Sequence, residues 1–139
     1  MVHAGITGGK RVITGRQIPF CLFTDPELAR FGLNEREAQA QGTANRLFKI
    51  PMEAVMRAST LSETRGFLKA LVERESDRIL GFTAFGVGAA EIMTSVQIAM
   101  SAGVPYTTLR DIILTHPTLV EALSPLFSSS ASIPESTEE

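Results

Sequence analysis

The chain has 139 residues, enough for one compact domain but too few for an enzyme that binds two nucleotide cofactors. Hydrophobic residues make up 44% of it and charged residues 20%, so a hydrophobic core is expected and chain-wide disorder is not. With 13 basic and 15 acidic residues the net charge is −2, which gives no electrostatic case for binding nucleic acid.

Cysteine and histidine counts exclude several kinds of site. Cys21 is the only cysteine, so an intramolecular disulfide and a redox-active cysteine pair are both excluded. His3 and His116 are the only histidines, too few for an ordinary zinc site, and we predict no metal. No apolar run approaches the roughly 20 residues of a membrane-spanning helix, and the first ten residues lack the apolar core of a secretory signal. We therefore expect a cytoplasmic protein with no membrane partner.

Composition divides the chain into three parts. Residues 1–17 are rich in glycine and basic residues, and we predict a flexible linker or the remnant of an upstream domain. Residues 128–139 are small, polar and acidic, which predicts a disordered tail. The folded domain is therefore expected to span residues 18–127.

The first half of this domain predicts two strands and a helix. A short apolar run at residues 18–23 ends at the turn signal Thr24-Asp25-Pro26 and predicts a strand. Asn34, followed by acidic residues, predicts a helix start, and Gly42 predicts its end. Residues 46–52 predict a second strand.

The second half predicts a hairpin followed by helices. Residues 66–73 and 78–85 are apolar segments joined by a short polar connection, which predicts two antiparallel strands. Leu68, Ala70 and Val72 are expected on one face of the first strand. A helical repeat of apolar positions predicts a helix over about 89–102.

Two further helices are predicted near the end of the domain. Residues 108–115 are a candidate for a short helix, and Pro117 is expected to open another that runs to about residue 126. Strand, helix, antiparallel strands and then helices indicate an α+β fold, with a mainly antiparallel sheet packed by helices.

Two features admit a functional and a plainer interpretation. Gly86-Val87-Gly88 precedes a helix as a dinucleotide-binding turn would, but Glu91 follows where a small residue is needed and would repel phosphate. We favour a tight strand-to-helix turn. Cys21 lies in mid-strand between apolar neighbours, which favours a small core side chain over a nucleophile.

His116 and Glu121 form the candidate catalytic pair. If Pro117 begins a helix, His116 lies at the helix N-terminus and Glu121 about one and a half turns further on. A carboxylate that contacts an imidazole can fix its tautomer and tune it for proton transfer. The spacing alone equally allows a capping histidine and an unrelated surface glutamate.

Six short motifs in matching order give the chain a family resemblance. From residue 18 to 127 it resembles the C-terminal dimerisation domain of the FAD-dependent pyridine nucleotide-disulfide oxidoreductases, which include dihydrolipoamide dehydrogenase, glutathione reductase and mercuric reductase. The motifs lie at residues 19–27, 31–35, 64–69, 78–81, 88–91 and 116–121. The last of these, His-Pro-Thr-Leu-Val-Glu, is the most specific.

The resemblance implies roles for three residues. His116 would act as the acid/base that exchanges a proton with the redox dithiol of the partner subunit, and Glu121 would hold the imidazole. The backbone of His116 and Pro117 would lie near the partner's flavin. A thiol–disulfide substrate is favoured over a metal ion, because many mercuric reductases carry Tyr where this chain has His116 and a cysteine pair near the end that this tail lacks.

The resemblance also implies what the chain does alone. FAD and NAD(P)H would be bound by upstream domains, so the isolated chain is expected to hold no cofactor and to be inactive. Its partner would be a second copy or the FAD- and NAD(P)-binding domains, within an enzyme of redox homeostasis. Alternatives are a subunit of a split oxidoreductase completed by a separate flavoprotein, and an unrelated ligand-binding α+β domain.

Overall fold

A computed structural model describes residues 17–133. Its strands are β1 (Phe20–Leu22), β2 (Glu27–Gly32), β3 (Asn45–Pro51), β4 (Phe67–Glu73) and β5 (Ile79–Gly86). Its α-helices are α1 (Glu35–Ala40), α2 (Met56–Thr60), α3 (Ala89–Ser101), α4 (Tyr106–Asp111) and α5 (Leu123–Ser128), with 3-10 turns at Met52–Ala54 and Val120–Ala122. The predicted linker and the end of the predicted tail, residues 1–16 and 134–139, lie outside the described residues.

The five strands form one antiparallel sheet in the order β1-β2-β5-β4-β3. The hairpin predicted from the sequence is present, with Leu68 opposite Ala84 and Ala70 opposite Phe82. An α+β fold with an antiparallel sheet is therefore confirmed.

The main hydrophobic core lies between one face of the sheet and the helices. Leu68, Ala70 and Val72 point into it as predicted, and α3 packs across β2 and β5 through Ile92 and Val96, both fully buried. The ring of Phe127 in α5 lies 5.7 Å from that of Phe48 in β3. This contact fixes the end of the described chain against the sheet.

Helix α1 covers one end of the opposite sheet face. Its Ala38 packs against Leu71 and Leu80 in a second, smaller cluster. The predicted start of this helix at Asn34 is confirmed. The Glu37 amide donates to Asn34 Oδ1 at 2.8 Å, and the Asn34 amide donates to Glu37 Oε2 at 2.9 Å. This reciprocal capping satisfies two amides that a helix N-terminus would otherwise leave unpaired.

Three elements differ from the sequence-based expectation. Strand β2 and helix α2 were not predicted. The prediction of a helix that opens at Pro117 is wrong, because helical residues begin only at Val120. The Glu121 amide instead donates to the Thr118 hydroxyl at 3.2 Å, so the first helical turn is organised after Pro117.

The predicted disordered tail, 128–139, is described as far as residue 133. Within that part, the Ser132 backbone pairs with Leu47 of β3. In the part of the chain that the structure describes, no helix is both long and apolar enough to cross a membrane.

Candidate functional site: a histidine–glutamate pair

The side chains of His116 and Glu121 are in contact. The imidazole Nδ1 lies 2.9 Å from both carboxylate oxygens of Glu121. The side chain of His116 is 57% exposed and that of Glu121 is 34% exposed. The pair is therefore formed within one molecule, and the imidazole stays open to a second one.

Glu121 belongs to the short helical turn Val120–Ala122, which is held in place by contacts with the main core. Its neighbours Ala122 and Leu123 are buried in the main core. The Ser124 hydroxyl also donates to the Arg110 carbonyl at 2.8 Å, which ties the start of α5 to α4. A carboxylate held by packed neighbours loses little further freedom when it orients an imidazole.

The pairing determines which imidazole nitrogen is available. A carboxylate accepts hydrogen bonds only, so this contact favours the imidazole tautomer that carries its hydrogen on Nδ1. That tautomer leaves Nε2 without a hydrogen. His116 lies in a surface loop between α4 and the turn Val120–Ala122, and not at the helix N-terminus expected from the sequence.

A small open recess of about 150 Å³ lies beside the pair. Apart from His116, Thr118 and Glu121, it is lined by apolar residues: Ala54, Val55, Met56, Ala122 and Pro125. Sequence reasoning gave Thr118 no role although it lies within the motif at residues 116–121. It missed residues 54–56, because their approach to His116 arises from the tertiary fold and has no local sequence signal.

The Gly86-Val87-Gly88 turn is filled by packing. A Cβ at Gly86 would lie 2.8 Å from Met52 Cγ, and one at Gly88 would lie 2.5 Å from Leu119 Cδ1. The Ala90 amide at the start of α3 donates to Glu27 Oε2 at 3.3 Å, which places a carboxylate where a phosphate would lie. This turn therefore does not fit the phosphates of a dinucleotide.

The surroundings of Cys21 and of the methionines in α3 indicate packing roles and not catalysis or ligand binding. Partial burial, and then the charge of Glu27, raise the pKa of the Cys21 thiol, so little thiolate forms at neutral pH. Met93 is buried in the core and Met100 packs against it. Residues 17–133 contain no group of three or more His, Cys, Asp or Glu side chains arranged to hold a metal ion.

The sequence matches a family model over residues 18–126: pyridine nucleotide-disulphide oxidoreductase, dimerisation domain. The sheet-and-helix fold and the extent of this match define a dimerisation domain of a redox enzyme class. The chain belongs to the pyridine nucleotide-disulphide oxidoreductase family.

Among curated proteins, the chain is similar to the probable pyridine nucleotide-disulfide oxidoreductase RclA of Escherichia coli K12, with 39% identity over 86% of this chain and 27% of that protein. It is also similar to the mitochondrial dihydrolipoyl dehydrogenase of Caenorhabditis elegans, with 34% identity over 85% of this chain and 24% of that protein. The chain thus spans about a quarter of these relatives.

Solved structures agree with this assignment. The HOCl-induced flavoprotein disulfide reductase RclA from Escherichia coli matches with a TM-score of 0.85 and 38% identity, over 91% of this chain and 30% of that one. LpdA from Mycobacterium tuberculosis matches with a TM-score of 0.79 at 21% identity, which supports the fold alone.

Proposed function

We propose that this dimerisation domain supplies His116 and Glu121 to the active site of a partner subunit in a flavin-dependent disulfide oxidoreductase. The observation that carries the proposal is the contact of 2.9 Å between His116 Nδ1 and Glu121, on an imidazole that is more than half exposed. The relatives include a flavoprotein disulfide reductase and dihydrolipoyl dehydrogenases, which supports a disulfide as the acceptor.

The proposed chemistry is a proton transfer. Reduction of a disulfide to two thiols takes two electrons and two protons, one proton for each sulfur, and reoxidation of the two thiols releases both protons. His116 Nε2 accepts a proton from a thiol of the partner's dithiol and returns it to the departing thiolate. Glu121 keeps Nδ1 protonated and stabilises the imidazolium that forms. Electron transfer through FAD and NAD(P)H belongs to domains outside this chain.

The isolated chain is proposed to be inactive, because the sequence has no cysteine pair and side chains fill the Gly86-Val87-Gly88 turn. Its partner is a second copy joined to FAD- and NAD(P)-binding domains. The backbone of His116 and Pro117 is proposed to lie near the partner's flavin. A cytoplasmic location stays a prediction.

A second candidate function is that of a subunit in a split oxidoreductase. The exposed and preformed His–Glu pair is also compatible with this function.

To test both candidate functions, the chain is mixed with a homologous flavoprotein from which the dimerisation domain has been deleted, and NAD(P)H oxidation with a disulfide acceptor is followed. Recovery of activity by the wild-type chain but not by His116→Ala supports the catalytic pair. Equal recovery by both would refute it. Activity recovered only when the domains are covalently fused would exclude the split enzyme.

A further inference from the structure

The loop that carries His116 has little backbone support of its own. Helix α4 ends at Asp111, and the next helical residues are Val120–Ala122. Within the described part of the chain, residues 113–118 take part in no backbone–backbone hydrogen bond, and residues 115–117 are exposed. The position of the imidazole therefore depends on side-chain contacts that hold this loop.

Thr118 provides such a contact, and it joins the loop to Glu121. The Glu121 amide donates to Thr118 Oγ1 at 3.2 Å, and both residues are half-buried. Thr118 comes two residues after His116 in the chain, so this bond connects the backbone that carries the carboxylate to the loop that carries the imidazole. The contact of 2.9 Å between His116 Nδ1 and the Glu121 carboxylate is the second connection.

Each of these two connections makes the other easier to form. When the Thr118 bond fixes the backbone of Glu121, only the side-chain torsions of the carboxylate have to be ordered before it contacts Nδ1. Without that bond, the loop and the helical turn must also be ordered relative to each other, and the contact is formed for a smaller fraction of the time. Leu119 packs against the main core in either case and keeps the turn in place.

We propose that Thr118 is a positioning residue for the His–Glu pair. By accepting the hydrogen bond from the Glu121 amide, its hydroxyl oxygen keeps the carboxylate on Nδ1 and so selects the imidazole tautomer in which Nε2 has no hydrogen. Thr118 acts through Glu121 and need not touch the acceptor. The catalytic consequence rests on the proposed function of the pair, whereas the effect on the tautomer is a property of this chain alone.

Ser124, three residues after Glu121, offers a matched control. Its hydroxyl also makes one hydrogen bond to the backbone, to the Arg110 carbonyl at 2.8 Å, and Ser124 is half-buried as Thr118 is. That bond ties α5 to α4 and does not involve the loop that carries His116. Ser124→Ala and Thr118→Val therefore each remove one hydroxyl from a hydrogen bond, but only Thr118→Val disconnects Glu121 from the loop.

The nitrogen chemical shifts of the His116 ring report the tautomer, and the chain has only one other histidine, His3. At a pH where the ring is neutral, we expect Thr118→Val to lower the ratio of the Nδ1–H to the Nε2–H tautomer about fivefold, the effect of one lost capping hydrogen bond on a local equilibrium. Thr118→Ser keeps the hydroxyl and should restore the wild-type ratio. Ser124→Ala should leave the ratio unchanged.

Two results would overturn the positioning role. One is an unchanged tautomer ratio in Thr118→Val, and the other is an equal fall in Thr118→Val and Ser124→Ala, which would indicate a general loosening of the domain. Thr118→Ala removes the hydroxyl with a smaller side chain and carries the same prediction, so the test does not depend on how well valine is accommodated. Urea unfolding of each variant confirms that the ratios are measured on folded protein.

Turnover separates this inference from the proposed function. In the enzyme reconstituted with the homologous flavoprotein, Thr118→Val should lower kcat in proportion to the lost fraction of the Nδ1–H tautomer, with little change in KM. A lower tautomer ratio with unchanged kcat would refute the catalytic role of the pair and leave the positioning role supported. A lower kcat with an unchanged tautomer ratio would refute the positioning role.

Discussion

Gly88 and Leu119 are in direct contact across the start of α3. A methyl group built on Gly88 would lie 2.5 Å from Leu119 Cδ1, and Gly88 adopts a φ of 65°. Leu119 follows His116 by three residues and packs against the main core. The glycine turn that superficially indicates a nucleotide site therefore positions the loop that carries the histidine.

Gly88→Ala should destabilise the domain and displace this loop. Gly103 provides a matched control, since its φ is 68° but open space surrounds it. Both substitutions strain a left-handed backbone by about 1–2 kcal/mol, whereas only Gly88→Ala also collides with Leu119. We expect the larger loss of unfolding free energy in Gly88→Ala, together with a changed NMR signal of His116. Equal destabilisation by the two variants would show that the Leu119 contact has no energetic effect.

His116→Ala should lower turnover of the complete or reconstituted enzyme by roughly 10²–10⁴-fold, the usual contribution of a general acid/base. Glu121→Gln should cause a smaller loss, because the amide still contacts Nδ1 but no longer stabilises an imidazolium. The measurement is steady-state NAD(P)H oxidation with a disulfide acceptor. Both side chains are partly exposed, so thermal unfolding of the chain should change little and serves as the control.

The molar mass of the purified chain by light scattering tests the proposed pairing. We expect a mass of about 30 kDa, twice the 15.0 kDa of the chain. The pairing surface would then be sufficient by itself. A mass near 15.0 kDa at all concentrations would mean that association requires other domains.

Glu73 should contribute to stability against acid. Hydrogen bonds from Arg78, and then from Ser76, lower the pKa of this carboxyl from 4.5 to about 2. Its contribution is therefore complete above the unfolded-state value and is lost as the pH falls from 4.5 toward 2. Urea unfolding midpoints across this range should fall less steeply in Glu73→Gln than in the wild type. Glu75→Gln, which removes an exposed carboxylate from the same turn, is the control and should retain the wild-type slope.

Local patterns predicted the elements whose signals are local. The β4–β5 hairpin follows from two apolar segments and a polar turn, and α1 follows from Asn34 and the acidic residues after it. Strand β2 escaped prediction because Arg30 and Glu27 interrupt its apolar character. Arg30 is tolerated there because it pairs with Glu37 of α1 on the outer sheet face, a tertiary contact with no sequence signal.

In the candidate site, too, some residues follow from a local sequence motif and others are placed only by tertiary packing. The motif suggested His116 and Glu121 as a pair, and their side chains are in contact in the structure. Their catalytic role stays a prediction. The predicted helix start at Pro117 was wrong, because proline is favoured in turns as well as in first helical positions. The approach of Met56 to the recess depends on how α2 packs against the domain.

The strand order also bears on how the protein is made. Strand β2 pairs with β5, which is synthesised much later. The pairing of Gly32 with Gly81, for example, can form only after Gly81 has left the ribosome. A chain leaving the ribosome exposes β1 and β2 throughout the synthesis of α1, β3 and β4, with Ala29 and Phe31 not yet covered. Nascent chains halted before β5 should therefore be the species that bind chaperones, and chains extended through α3 should release them.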